Sequence, residues 1–222
     1  FIARHSDVIL PHARQGSDLA RRYHRRAEAK TCFLHHPTKN RLPKSRPTGP
    51  VMYDLLIWGQ ISRYKGVIEY VRYLRNNPCK GLRVCIVGAC PSQSLAEEIT
   101  RELTDTITFI NRSPSFEELA RYVEQSAFVL EPYKPESVLS SGTLMDSLSF
   151  GAKVIGPDTG TFKDYAQEKR LNVYTFRDYR EIDEIVTRYR DCPVSWEGYR
   201  DFLEENSWPN FGRRVVELVK KC

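Results

Sequence analysis

The sequence predicts an α/β fold, a parallel sheet with helices on both faces. From residue 51 onward, short apolar segments alternate with amphipathic ones, the pattern of successive strand–helix–strand units. The apolar segments are close to continuous, as strands covered on both faces must be. A small-residue turn, Ser140-Ser141-Gly142, then joins one of these strands to a helix. In such sheets, ligands bind where strands give way to helices.

The chain has 222 residues, enough for one large α/β domain or for one domain and part of another. Residues 7–10 (Asp-Val-Ile-Leu) read as a short buried strand. Residues 13–26 read as an arginine-rich helix with Leu19 and Tyr23 one turn apart. Lys30 to Leu34 reads as another strand, ending at His35-His36-Pro37. Residues 38–50 hold Pro43, Pro47, Gly49 and Pro50 among basic and small residues, which is linker composition.

The regular pattern then begins. Strands are expected at Met52 to Trp58 (interrupted only by Asp54), Leu82 to Val87, Thr106 to Ile110, Phe128 to Glu131, 153–155 and Asn172 to Thr175. Helices are expected at Gly66 to Arg75, where Val67, Tyr70, Val71 and Leu74 share a face, and at Ser94 to Leu103. The helix at Ser115 to Gln125 opens with a capping box, Ser115 and Glu118. Further helices follow at 142–150, Tyr179 to Arg190, 195–206 and 209–221.

A hydrophobic share of 41% describes a globular chain. No apolar run approaches the ~18 residues that suggest a membrane span. Phe1 is not an initiator and no signal peptide opens the chain, so it reads as a fragment of a longer protein. The net charge of +6 is uneven, because residues 1–50 alone carry eleven Lys and Arg against three Asp and Glu, a net of +8. All five histidines, His5, His12, His24, His35 and His36, also lie there. This stretch reads either as a solvated face with a linker or as a basic face. A basic face could meet anionic lipid, a pyrophosphate-linked acceptor or nucleic acid. Few aromatics interleave the basic residues, which argues against nucleic acid. The six cysteines, Cys32, Cys79, Cys85, Cys90, Cys192 and Cys222, form no CxxC pair and no zinc spacing. A reducing, cytoplasmic setting is the simplest account.

Two stretches carry candidate phosphate chemistry. In Trp58-Gly59-Gln60-Ile61-Ser62-Arg63-Tyr64-Lys65-Gly66, a strand ends and a helix begins, with Arg63 and Lys65 at the mouth of the turn. Two cations there could neutralise a diphosphate and the charge that grows as it leaves. They also fit an ordinary loop with surface cations. In Ser140-Ser141-Gly142-Thr143, free amides at a helix start could hold a phosphate, or Ser141 is simply a helix cap. Asp146, one turn further, leans back toward the helix start and is a candidate for ribose. Glu136, just before, is a candidate for sugar hydroxyls. Ile110, Asn111 and Arg112 end a strand where a base could lie, or are turn and surface residues. Walker A, GxGxxG and GxSxG patterns are missing from the sequence, which argues against P-loop NTPases, dehydrogenases and α/β-hydrolases, and the histidines show no HExxH or similar metal spacing.

Taken together, Gly59-x-Ile61-x-x-Tyr64-Lys65-Gly66, Pro132-Tyr133, Ser141-Gly142 and Phe150-Gly151-x-x-Val154-Ile155-x-Pro157-Asp158-x-Gly160 resemble a known family. They look like the C-terminal domain of GT-B glycosyltransferases, nearest to the retaining "glycosyl transferases group 1" enzymes (family 4). Residues 51–190 carry most of the likeness. It departs at Gln60, where many relatives have Arg, and at Val138, where many have Glu.

The resemblance implies a Rossmann-like donor-binding domain at 51–206. It also implies a remnant of the acceptor-side domain at 1–37, an interdomain linker at 38–50, and a helix at 207–222 that packs back. By the same likeness, Arg63 and Lys65 would contact the donor diphosphate and serve catalysis, and Ser141, Gly142 and Thr143 would cradle the distal phosphate. Asp146 and Glu136 would meet ribose and sugar, and Ile110, Asn111 and Arg112 the base. The implied reaction moves a hexose from a nucleotide-diphosphate sugar to a glycan or lipid-linked acceptor with retention, as in polysaccharide synthesis. It would need no metal and no cofactor. The setting would be cytoplasmic, possible also as a peripheral protein at an anionic inner membrane face. An epimerase of the same fold and a non-catalytic nucleotide-sugar-binding module remain alternatives.

Overall fold

The computed structural model describes residues 5–23, 29–45, 48–78, 81–134, 136 and 138–221. Cys79, Cys222, His24 and the end of the helix expected at 13–26 lie outside them. Six strands form one sheet: β1 (Tyr53–Trp58), β2 (Val84–Val87), β3 (Ile107–Ile110), β4 (Ser126–Leu130), β5 (Val154–Pro157) and β6 (Val173–Phe176). They are all parallel, in the order β3-β2-β1-β4-β5-β6. The order reverses between β1 and β4, and this places a crevice at their carboxyl ends.

The helices are α1 (Arg14–Tyr23), α2 (Val67–Asn76), α3 (Gln93–Glu102), α4 (Phe116–Glu124), α5 (Gly142–Ser149), α6 (Gly160–Ala166), α7 (Tyr179–Tyr189), α8 (Trp196–Glu205) and α9 (Trp208–Val219). Alternate strand residues face opposite layers. Leu55, Ile57, Val84, Ile86 and Phe128 pack with α2, α3 and α7. Leu56, Cys85, Val87 and Val129 pack with α4, α5, α6 and α8. Both faces are therefore dry, and the strands read as unbroken apolar runs. The exception, Asp54, is buried but accepts the Arg83 amide at 2.7 Å and meets the Arg190 guanidinium. The capping box at Ser115 and Glu118 is present at the start of α4.

One expectation changes and one element is new. The strands expected at 7–10 and 30–34 reduce to one parallel bridge, Ile9 to Thr31. Two such short segments have no third strand to continue the ladder. The arginine-rich helix expected at 13–26 is present as Arg14–Tyr23, and residues 24–26 lie outside the described residues. The chain also contains α6, a seven-residue helix not expected from the sequence.

The described part of residues 5–45 lies on the domain through polar anchors. The Arg14 amide donates to Asp164 and the Gly160 amide to Gln15. Thr38 bridges Ser207. His36 and His12 meet Trp208 and Phe211 of α9 edge-on or tilted. Among the described residues, Cys32, Cys85, Cys90 and Cys192 are free thiols. Within the same residues no helix is long and apolar enough to cross a membrane.

Gly66 joins the turn after β1 to α2 with φ +73°, and a Cβ there would sit 2.0 Å from the Pro132 carbonyl oxygen. Gly66→Ala is expected to cost about 2–4 kcal/mol in urea denaturation, from left-handed strain and overlap with backbone. Gly142→Ala, with nothing within 4 Å of the added carbon, is expected to stay within about 0.5 kcal/mol of wild type. Equal losses in the two variants would contradict this close approach.

Candidate functional site

β1 ends at Trp58, and the chain turns at Gly59 with φ +95°. A short 3-10 turn, Arg63–Lys65, then leads through Gly66 into α2. This path folds the Lys65 side chain back beneath the strand end. Its amine donates to the Trp58 carbonyl at 2.7 Å and to Thr143 Oγ1 at 3.4 Å. A Cβ on Gly59 would lie 3.0 Å from that amine. Glycine at 59 thus makes room for Lys65, besides allowing the turn.

The opposite wall comes from the loop after β4. Ser141 caps α5, its Oγ accepting the Leu144 amide at 3.2 Å. The Gly142 and Thr143 amides are the first two of the helix and have no acceptor within it. The helix dipole adds positive potential there. Lys65, Ser141, Gly142 and Thr143 line one cavity of about 260 Å³, together with Gln60, Tyr64, Tyr133, Val138, Leu139 and Ser140. The Tyr64 ring stacks on Tyr133 at 5.8 Å. Among the described residues no carboxylate lines this cavity. A phosphate-sized anion would meet an ammonium and two helix-start amides, all on rigid elements.

Beneath the cavity lies Glu131, directly after β4. Its carboxylate is 2% exposed and pairs with Lys65 Nζ at 3.9 Å, the Lys65 side chain being 4% exposed. Neither oxygen has a hydrogen-bond partner. Burial pushes Glu131 up to about 7, opposed by Lys65 and by the Tyr133 and Ser141 hydroxyls, which favour its charge without standing in bonding geometry. Burial likewise lowers Lys65, opposed by Glu131. In the sequence Glu131 reads only as the end of a strand. The available signal was a carboxylate closing a buried strand just before the Pro132-Tyr133 motif.

The other predicted residues lie elsewhere. Arg63 points away from the cavity lining, 59% exposed, and pairs with Glu98 of α3 at 2.7 Å. Asp146 is held at 3.0 Å by Arg41, whose guanidinium also stacks over Phe116 and donates to Ser149 Oγ. Glu136 is exposed and does not line the cavity. Arg112 makes two bonds to Glu118, and the Asn111 side chain accepts the Cys90 amide. Ile110 is half-buried at the end of β3. Asn111 borders a separate open cavity of about 670 Å³ with Cys90 and Gln93, which shares no lining residue with the first. Among the described residues no group of three or more His, Cys, Asp and Glu could hold a metal ion.

No family model matches the chain, and no curated protein does. Solved structures do. AviGT4, a glycosyltransferase of avilamycin A biosynthesis, is 18% identical with a TM-score of 0.61, covering 83% of this chain and 56% of its own. Anabaena Alr3699/HepE in complex with UDP-glucose is 12% identical with a TM-score of 0.71, covering 100% and 65%. A Rickettsia africae glycosyltransferase is 11% identical with a TM-score of 0.71, covering 99% and 66%. The fold is that of GT-B glycosyltransferases. The chain spans 56% to 66% of the length of these three proteins.

Because burial raises Glu131 from 4.5 to about 7, the folded chain binds more protons than the unfolded chain between those values. Stability therefore falls as pH rises through that window. Relative to Glu131→Gln, wild type is expected to lose roughly 3 kcal/mol between about pH 4.5 and 7. Urea denaturation across that range measures the difference. Parallel profiles for the two proteins would mean that the carboxylate titrates normally.

Proposed function

We propose that this chain holds the donor-binding part of a glycosyltransferase and binds a nucleotide-diphosphate sugar. One observation carries the reading: Lys65 and the start of α5 converge on a single cavity at the switch between β1 and β4. The GT-B fold supports it, as does the UDP-glucose bound to one structural neighbour.

In this reading the distal phosphate lies on the Gly142 and Thr143 amides, with Ser141 fixing the helix start and Lys65 neutralising the diphosphate. The bond from the sugar's anomeric carbon to the distal phosphate oxygen breaks. A bond to an acceptor hydroxyl oxygen forms, and the hydroxyl proton passes to the departing phosphate oxygen. Charge grows on the departing diphosphate, where preorganised donors lower the barrier most. Lys65 and the amides supply that charge without a divalent ion. In this proposal retention relies on stabilising the leaving phosphate, because no carboxylate among the described residues lines the cavity as a nucleophile.

The hexose, the glycan or lipid-linked acceptor and a role in polysaccharide synthesis belong to the same proposal. So does peripheral contact of the basic residues 1–50 with an anionic membrane. Residues 51–206 are then the donor domain, 1–37 a remnant of the acceptor side, 38–50 the linker and 207–222 the returning helix. Asp146 and Glu136 remain the proposed ribose and sugar contacts, and Ile110, Asn111 and Arg112 the base contacts. Arg63 takes part only by leaving Glu98.

Calorimetric titration with UDP, GDP and ADP tests this. One of them is expected to bind, and Lys65→Ala to weaken it roughly 10- to 100-fold. Arg63→Ala is expected to change affinity less than about threefold, as for an exposed pair. Absence of binding to all three would sink the donor reading.

A further inference from the structure

Glu131 has no part in the donor reading, yet it sits directly behind it. A carboxylate with both oxygens unbonded and 2% exposed is costly. An apolar side chain would fill the same space without that cost. The groups that bear on its charge are Lys65 from the turn after β1, Tyr133 from its own segment and Ser141 from the cap of α5. Each of these three also lines the cavity. Glu131 therefore stands behind three residues of the cradle, and its countercharge is the ammonium that faces the ligand.

An entering diphosphate changes this balance. Its oxygens compete with Glu131 for Lys65, and the new negative charge lies just beyond a dry wall. Two anions sharing one ammonium in a low-dielectric site cannot both stay ionised cheaply. The diphosphate has helix-start amides to hold its charge, whereas the carboxylate has the Tyr133 and Ser141 hydroxyls near it but no donor in bonding geometry. The anion that gives way is the carboxylate.

We propose that Glu131 is a positioning residue that couples donor binding to proton uptake: with the cavity empty it holds Lys65 beneath the strand end, and when a nucleoside diphosphate binds it takes one proton from water and releases the ammonium to the phosphates. This rests on the donor reading. The raised pKa of Glu131, about 7 in the empty site, agrees, because a group poised there changes charge with a small push. The consequence is a donor affinity that weakens as pH rises above neutrality.

The test is infrared difference spectroscopy of this chain, with UDP as the probe and ¹³C-glutamate labelling to assign the band independently of any variant. Ligand-free protein is expected to show a protonated-carboxyl band that fades as pH passes through about 7. Saturating UDP at about pH 8 is expected to restore the band in wild type and not in Glu131→Gln. Calorimetry in two buffers of different ionisation enthalpy is expected to show uptake approaching about one proton per UDP. UDP binding with no glutamate band and equal apparent enthalpies would overturn the coupling and leave the donor reading standing. If neither UDP, GDP, ADP nor inorganic pyrophosphate binds, the donor reading fails and the coupling falls with it.

Discussion

Lys65 lines the cavity with only 4% of its side chain exposed, and a charge so poorly hydrated must be compensated by the protein around it. Much of the local structure follows from this. The Trp58 carbonyl at the end of β1 accepts the amine, and Thr143 brings the start of α5 against it. Glu131 supplies the countercharge from the strand beside it. Residue 59 lacks a side chain because one would crowd the amine. A single lysine thus ties together the ends of β1 and β4 and the first turn of α5, the three pieces that border the crevice.

The sheet order makes this possible. β1 and β4 are the central pair, with Leu55 aligned to Phe128 and Leu56 to Val129. Helices leave their carboxyl ends in opposite directions, so the loops diverge and leave room between them. Gly66 lets the chain turn into α2 while passing close to the Pro132 carbonyl. The two loops are therefore held against each other by backbone contact as well as by charge. Donors fixed in this way need little reorganisation when an anion arrives.

The sheet and most helices were legible because burial on both faces leaves a simple mark. Runs such as Leu55-Leu56-Ile57 and Val84-Cys85-Ile86 have no polar side, and the intervening helices have one. α6 was not legible, since seven residues opening on Asp158-Thr159-Gly160 look like a turn. Arg63 and Lys65 show the other limit. They stand two residues apart in one loop, and spacing gives both the same reach. The 3-10 turn rotates them apart, so that one side chain is buried and the other meets α3. Glu131 was missed because a strand's last residue is expected to be ordinary. Its partner comes from a turn about sixty-six residues earlier, and no local pattern in the sequence joins the two.

Arg41 and Asp146 present a different balance from Lys65 and Glu131. Their side chains are 21% and 35% exposed, so solvent screens the pair and its direct stabilisation is small. Its weight lies in geometry. Arg41 also donates its amide to the Ser149 carbonyl and stacks on Phe116, which pins the segment at residue 41 along α5. A carboxylate has about four acceptor positions, and a single guanidinium contact leaves others open. The ion pair therefore orients Asp146 without using it up. The buried pair behaves otherwise, since neither partner has water to fall back on and any change of charge on one must be met by the other. The same two charge types thus anchor a surface segment in one place and make a charge-sensitive site in the other, and what separates them is access to water.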